Sequence, residues 1–161
     1  PNVKAPRISN KEDWKRKDWV DDMVEAIFND ELFRWFDSGD CYDLRLAKKI
    51  KQVIKRTPTT KHWLPTRQHK FPKFTKVLNE IAELPNAVVR LSSDSINGGI
   101  IKGDTTSTIW STEPPKEAFE CGAYTRNGEC KDCRACWDKL VKVVAYPGHG
   151  AKMLKVIRLQ G

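Results

Sequence analysis

No stretch of this chain is apolar for long enough to cross a bilayer, and no apolar run near its start has the form of a signal peptide. Those two absences lead to the expectation of a cytoplasmic protein. A phosphate loop of the Gly-x4-Gly-Lys kind is missing, and Gly148-His149-Gly150 lacks the spacing to replace it. Acidic residues are missing from one long segment. Between Lys48 and Lys76 there is no Asp or Glu, while ten Lys and Arg residues fall there. The chain begins at Pro1 rather than at a methionine, which suggests a processed or truncated product.

With a formal charge of +8 and a pI near 9.3, the composition permits a polyanionic partner. The acid-free segment says where such a partner would sit. Lys48, Lys51, Lys55, Lys70 and Lys73 are the candidate nucleic-acid contacts, and an acidic host protein is the other partner that a basic face would suit.

The length, 161 residues, suits one domain covering 1–161. Asn10 is placed to cap a first helix with Asp13 three residues on. Val20, Met23, Val24, Ile27 and Phe28 then form its apolar stripe, with Trp14 and Trp19 extending the core. Leu32 to Phe36 reads as a buried strand ending in the polar turn Asp37-Ser38-Gly39-Asp40. A second helix follows, apolar at Leu46, Ala47, Ile50, Val53 and Ile54, and Thr57-Pro58 ends it. Lys61 to Leu64 is the next strand. Pro72 opens a third helix with Phe74, Val77, Leu78, Ile81 and Leu84 inside, and Ala87 to Leu91 is the strand after it. This alternation predicts an α/β fold, either a parallel sheet or an incomplete α/β barrel. Ser107 to Trp110 and Val141 to Tyr146 are two later strands, and 114–140 reads as a cysteine-rich metal-binding insert. Arg34 and Arg90 both sit in a strand with Ser and Asp just beyond, a short internal echo that equivalent strands of one sheet would give.

Four of the five cysteines fall in that insert as Cys121-x8-Cys130-x2-Cys133-x2-Cys136. In a cytosolic protein such spacing points to a thiolate metal site rather than a disulfide framework. The run C-x2-C-x2-C resembles the cluster loop of bacterial ferredoxins, with Cys121 as fourth ligand. The expected cofactor is an iron–sulfur cluster of the 4Fe–4S type. Zinc is the alternative, because Cys121 with Cys130 and Cys133 with Cys136 also read as two pairs. Lys131, Arg134 and Lys139 would offset thiolate charge. Cys41 stands apart and reads as a small buried hydrophobe.

Ligands of parallel sheets and barrels bind beyond the carboxyl ends of the strands. Here those ends carry Asp37, Ser38 and Asp40, then Thr66 and Arg67, then Ser92, Ser93 and Asp94, and finally Tyr146 and His149. The candidates for a reaction are Asp40 or Asp94 as base or cation ligand, Arg67 for a phosphate or carboxylate, and His149 for proton transfer. His62 reads as a satisfied residue within a strand, and His69 as an addition to the basic loop.

The ordered set Phe33-Arg34-Trp35-Phe36-Asp37-Ser38-Gly39-Asp40, His62-Trp63-Leu64-Pro65-Thr66-Arg67, Val88-Val89-Arg90-Leu91-Ser92-Ser93-Asp94, Cys130-x2-Cys133-x2-Cys136-Trp137-Asp138 and Val144-Ala145-Tyr146-Pro147 resembles the "gene product eighty-eight" family of bacteriophage proteins, from about Phe33 onward. The resemblance implies a phage origin, a host-cytoplasm location and a metal cluster, and supplies no established activity. Relatives of this kind often carry a further cysteine-bearing segment ahead of the point where this chain starts. The strand–turn–helix order is also similar to part of a radical-SAM-type barrel, although the C-x3-C-x2-C motif of those enzymes is absent. Two classes of function follow: a phage iron–sulfur protein whose cluster is structural or redox-active, and a zinc-stabilised protein that binds nucleic acid or a host factor without catalysis.

Overall fold

A computed structural model describes residues 11–37 and 39–148. Its internal contacts divide the chain into two units, one of residues 1–64 with 68–87 and one of residues 65–67 with 88–161.

The first unit holds three helices: α1 (Trp19–Ile27), α2 (Leu44–Arg56) and α3 (Pro72–Ala82). Strand β1 (Leu32–Arg34) pairs in parallel with β2 (Lys61–Thr66), Leu32 opposite Lys61 and Arg34 opposite Trp63. Helix α2 follows its pattern closely. Leu46, Ala47, Ile50, Val53 and Ile54 are all buried, and Asp43 caps the start by accepting from the Arg45 amide at 2.7 Å. Pro72 opens α3 at its first turn, and Phe74, Val77, Leu78 and Ile81 are its buried face. Where α2 ends, the Asn86 side-chain amide donates to the carbonyls of Ile54, Thr57 and Thr60 at 3.0–3.1 Å. One polar side chain thus satisfies the carbonyls that a helix terminus leaves open.

The first helix differs from expectation. Only a short helical turn occupies residues 11–13, and α1 starts at Trp19 with Asp18 before it; Asn10 lies outside the described residues. Arg16 binds Asp13, Asp18 and Asp22 together at 2.6–2.7 Å, which holds the linking turn. Phe28 is exposed rather than core, while Trp14 and Trp19 are buried. Helix α1 stops at Ile27, so the stripe loses its last member.

The second unit carries the remaining strands, β3 (Ala87–Ser92), β4 (Thr106–Trp110), β5 (Phe119–Glu120) and β6 (Val143–Pro147). Continuing from the end of β2, the order is β3, β4, β6, β5. Every pairing within this group is parallel, as in Thr106 opposite Val143 and Phe119 opposite Val144. The chain is therefore α/β with six parallel strands. Among the described residues the α-helices belong to the first unit only; the strands of the second are joined by loops and short 3-10 turns. The expected insert is not a separate element either, because residues 119–120 within it form β5 and join the sheet beside β6. Sequence alternation cannot reveal a two-residue strand. No helix among the described residues is long and apolar enough to cross a membrane.

Candidate functional site

The cysteine segment is organised by a residue outside it. Arg90, in the middle of β3, has 0% exposure, and its guanidinium donates to backbone carbonyls alone. Nε reaches Cys136 O at 3.1 Å, Nη2 reaches Ala135 O at 2.6 Å and Asp138 O at 2.9 Å, and Nη1 reaches Val141 O at 2.9 Å and Thr106 O at 3.3 Å. A planar fork with five N–H groups is the side chain able to satisfy such a ring of acceptors. Burial lowers its pKa, while the charges of Cys136, Tyr146 and Asp138 pull it back up. Arg34, its sequence echo, is exposed and lies 4.6 Å from the Trp63 ring centre. The echo therefore marks similar strands and not similar roles.

Around this anchor all four thiols are free. The Cys133 amide donates to the Cys130 carbonyl at 3.0 Å, and Lys131 between them takes a positive φ of 49°. Arg134 closes the same turn by donating to the carbonyls of Lys131 and Cys133. Cys121 is tied to the sheet through its amide, which donates to Ala145 O at 2.8 Å. Burial pushes the Cys136 thiol up to about 11. The Tyr146 hydroxyl, 3.3 Å from its sulfur, and Arg90 oppose that rise, whereas Cys121 and Cys130 add to it. The Cys121 thiol is raised by burial too, with Cys130 and Cys133 contributing. These four sulfurs share one electrostatic neighbourhood. Among the described residues, no group of three or more His, Cys, Asp or Glu side chains is gathered tightly enough to hold a metal ion. The donor chemistry fits a thiolate-bound cluster: four reduced thiols, a pinned loop and a buried cation beside them.

The other expected site residues are distributed as follows. Asp40 belongs to the first unit, in the loop beyond the carboxyl end of β1. There it lines a cavity of about 530 Å³ walled by Trp14, Trp19, Trp35 and Tyr42. Arg67 and Asp94 belong to the second unit and form an ion pair, Nε to Oδ1 at 3.3 Å. Ser93 accepts from the Ser95 amide at 3.0 Å, a local turn contact. Thr66 is buried in β2, and Tyr146 stands beside Cys136. Ser38 and His149 lie outside the described residues. Cys41 is fully buried and burial, aided by Asp40 and Asp43, pushes its thiol up to about 12, so it stays protonated.

Of the expected basic contacts, Lys48, Lys51 and Lys73 line one groove of about 390 Å³ between α2 and α3, and Lys76 joins them. The groove's carboxylate, Glu80, pairs with Lys51 at 2.6 Å, and its pKa is lowered by that bond, with Lys76 and Lys55 contributing. Lys55 stands in the last turn of α2, and Lys70 ends the 3-10 turn that precedes α3. Sequence reasoning missed Lys76 as a groove residue and Arg90 as the loop anchor. For Arg90 the signal was available: a cation flanked by Val88, Val89 and Leu91 in a parallel strand must find polar partners.

The sequence model of a family described as gene product 88 matches residues 1–139. That span begins well before Phe33 and ends short of Val144. No curated protein and no solved structure matches the chain.

Proposed function

Starting from a chain that belongs to the gene product 88 family of bacteriophage proteins, we propose that it acts in the host cytoplasm as a four-cysteine cluster protein. Cys121, Cys130, Cys133 and Cys136 would hold a 4Fe–4S cluster, which when bound supplies a one-electron couple or a structural clasp. The observation that carries this reading is the Arg90 ring of carbonyl contacts. A buried guanidinium given wholly to residues 135, 136, 138 and 141, with Thr106 as the fifth partner, fixes the backbone from which one thiol projects. It also places a cation near sulfurs that must be deprotonated to bind metal. Arg134 does the same for the turn between Cys130 and Cys133.

The test is iron, acid-labile sulfide and zinc content on protein purified without oxygen, with a visible spectrum. Brown protein carrying iron and sulfide is expected, and a Cys133→Ser variant should lose most of both. Colourless protein with one zinc per chain would replace the cluster by a structural metal. Protein free of all three would sink the reading.

A second reading rests on the lysine groove. Four ammonium groups facing one carboxylate between α2 and α3 suit the phosphates of a nucleic acid better than a solvated helix face requires. Replacing Lys48, Lys73 and Lys76 with Gln leaves the Lys51–Glu80 pair in place. Binding to a nucleic acid should weaken, and the slope of log affinity against log salt should shrink by about 2–3. An unchanged slope would move the contact elsewhere; binding of an acidic protein in preference to nucleic acid would reassign the partner.

A further inference from the structure

We propose that the cavity beyond β1 is a binding site for a small organic cation. This is independent of the cysteine segment, which belongs to the other unit. The cavity lies just past the carboxyl end of a parallel strand, where ligands of such sheets bind, and about 530 Å³ is within the range of small-molecule sites.

Its walls are held in place before any ligand arrives. Trp14 Nε1 donates to the Tyr42 hydroxyl at 2.7 Å, and that hydroxyl donates to the Lys11 carbonyl at 2.8 Å. The two rings meet edge to face, 6.3 Å between centres. Phe36, in the same lining, has a φ of 56°. For a bulky residue that is a strained conformation, of a kind that concentrates at ligand sites.

The lining combines aromatic faces with acid. Asp13, Asp37 and Asp40 face one ammonium, Lys11, so two negative charges are in excess and an anionic ligand is disfavoured. Aromatic faces attract cations through the negative face of the ring, and these rings already do so. The Arg45 guanidinium stands 5.4 Å from the Trp14 ring centre, and the Lys49 ammonium 6.0 Å from that of Trp19. Trp35 is different. It is 4% exposed and stacks on His62 at 6.0 Å. Among the described residues it has no cation over it, and its Nε1–H has no acceptor. It is the ring this pocket keeps for something from outside. An apolar neutral molecule would use the rings and leave the carboxylates idle; a cation with an apolar body uses both.

The test is calorimetric titration of the full chain with choline and with 3,3-dimethyl-1-butanol, which has the same shape and no charge. Choline should bind with the neutral analogue roughly tenfold weaker or more. Asp37→Asn with Asp40→Asn should reduce that preference, because Asn keeps the shape and removes the charge. Met23→Trp, which fills the cavity from α1, should abolish binding of both. Equal affinity for the two compounds overturns the proposal, since the pocket would then read shape alone. No binding of choline at millimolar concentration overturns it too, as does preferential binding of a neutral flat probe such as adenosine.

Discussion

Replacing Arg90 with Ala is expected to destabilise the chain by about 3–5 kcal/mol, from the loss of several hydrogen bonds to a charged donor at a buried site. Five carbonyls lose their partner at once, and a cavity replaces a large side chain in β3. Urea unfolding reports this as a fall in the midpoint. Arg90→Lys should recover less than half of the loss, because three donors on a point charge cannot span the acceptors of residues 106 and 135–141. The loss should be local before it is global. Limited proteolysis is expected to cut within residues 121–141 of the variant at denaturant levels the parent resists. A midpoint moved by less than about 0.5 kcal/mol would show that the carbonyls are equally well served by water, and the anchoring role would fall.

The second large effect is a loss of stability in mild acid that a single substitution should remove. His62 is fully buried in β2 and burial lowers its pKa from 6.5 to about 4. The Thr57 hydroxyl donates to Val53 O at 2.9 Å, so its one proton is spent, and it can only accept from His62 Nε2, also 2.9 Å away. The ring is therefore the Nε2–H tautomer. Its Nδ1 has no partner, and a second proton would stand there without an acceptor. The folded state holds the ring neutral, whereas the unfolded chain protonates it near 6.5. The corresponding stability is fully present above about pH 6.5 and disappears as pH falls to about 4, a loss of about 3 kcal/mol. Denaturant midpoints across this window should fall steeply for the parent. They should be nearly flat for His62→Gln, which keeps a donor for Thr57 and does not titrate. Parallel curves for the two proteins would assign the acid sensitivity to other groups.

The helices and the parallel strands were legible because each segment carries one dominant pattern. Helix α2 shows this best: five apolar positions at helical spacing, lysines opposite, a capping Asp43 and a terminating Thr57-Pro58, all of them local signals. Helix α1 was read too long at both ends because the apolar period runs on through Phe28, while its actual start is set by the ionic clasp of Arg16 with three aspartates. Such a clasp has no period. The two-residue β5 left no pattern at all. For the candidate sites the division is similar. Cysteine spacing is a sequence property and named its four thiols at once. The partner of that segment, Arg90, lies 45 to 51 residues away from the carbonyls of 135–141, and pairing across such a distance is not written in any local window. The aromatic cavity was hidden for another reason. Trp14, Trp19 and Trp35 read as core, and they are buried; only geometry shows that they also enclose space.

The distance that hides Arg90's partners also orders events in time. During synthesis β3 emerges before the carbonyls that Arg90 will engage, the nearest in the cysteine segment 45 residues later and the farthest 51. At ordinary rates of chain growth that is an interval of about 2–10 s. Over this interval the guanidinium stays in water and the rim of β3 stays open to it. Locking of the second unit is thus an event of late translation, whereas Asn86 finds its carbonyls among residues already made, 26 to 32 positions behind it. The chain is built to settle its first half as it is made, and to wait for its last stretch before closing the second.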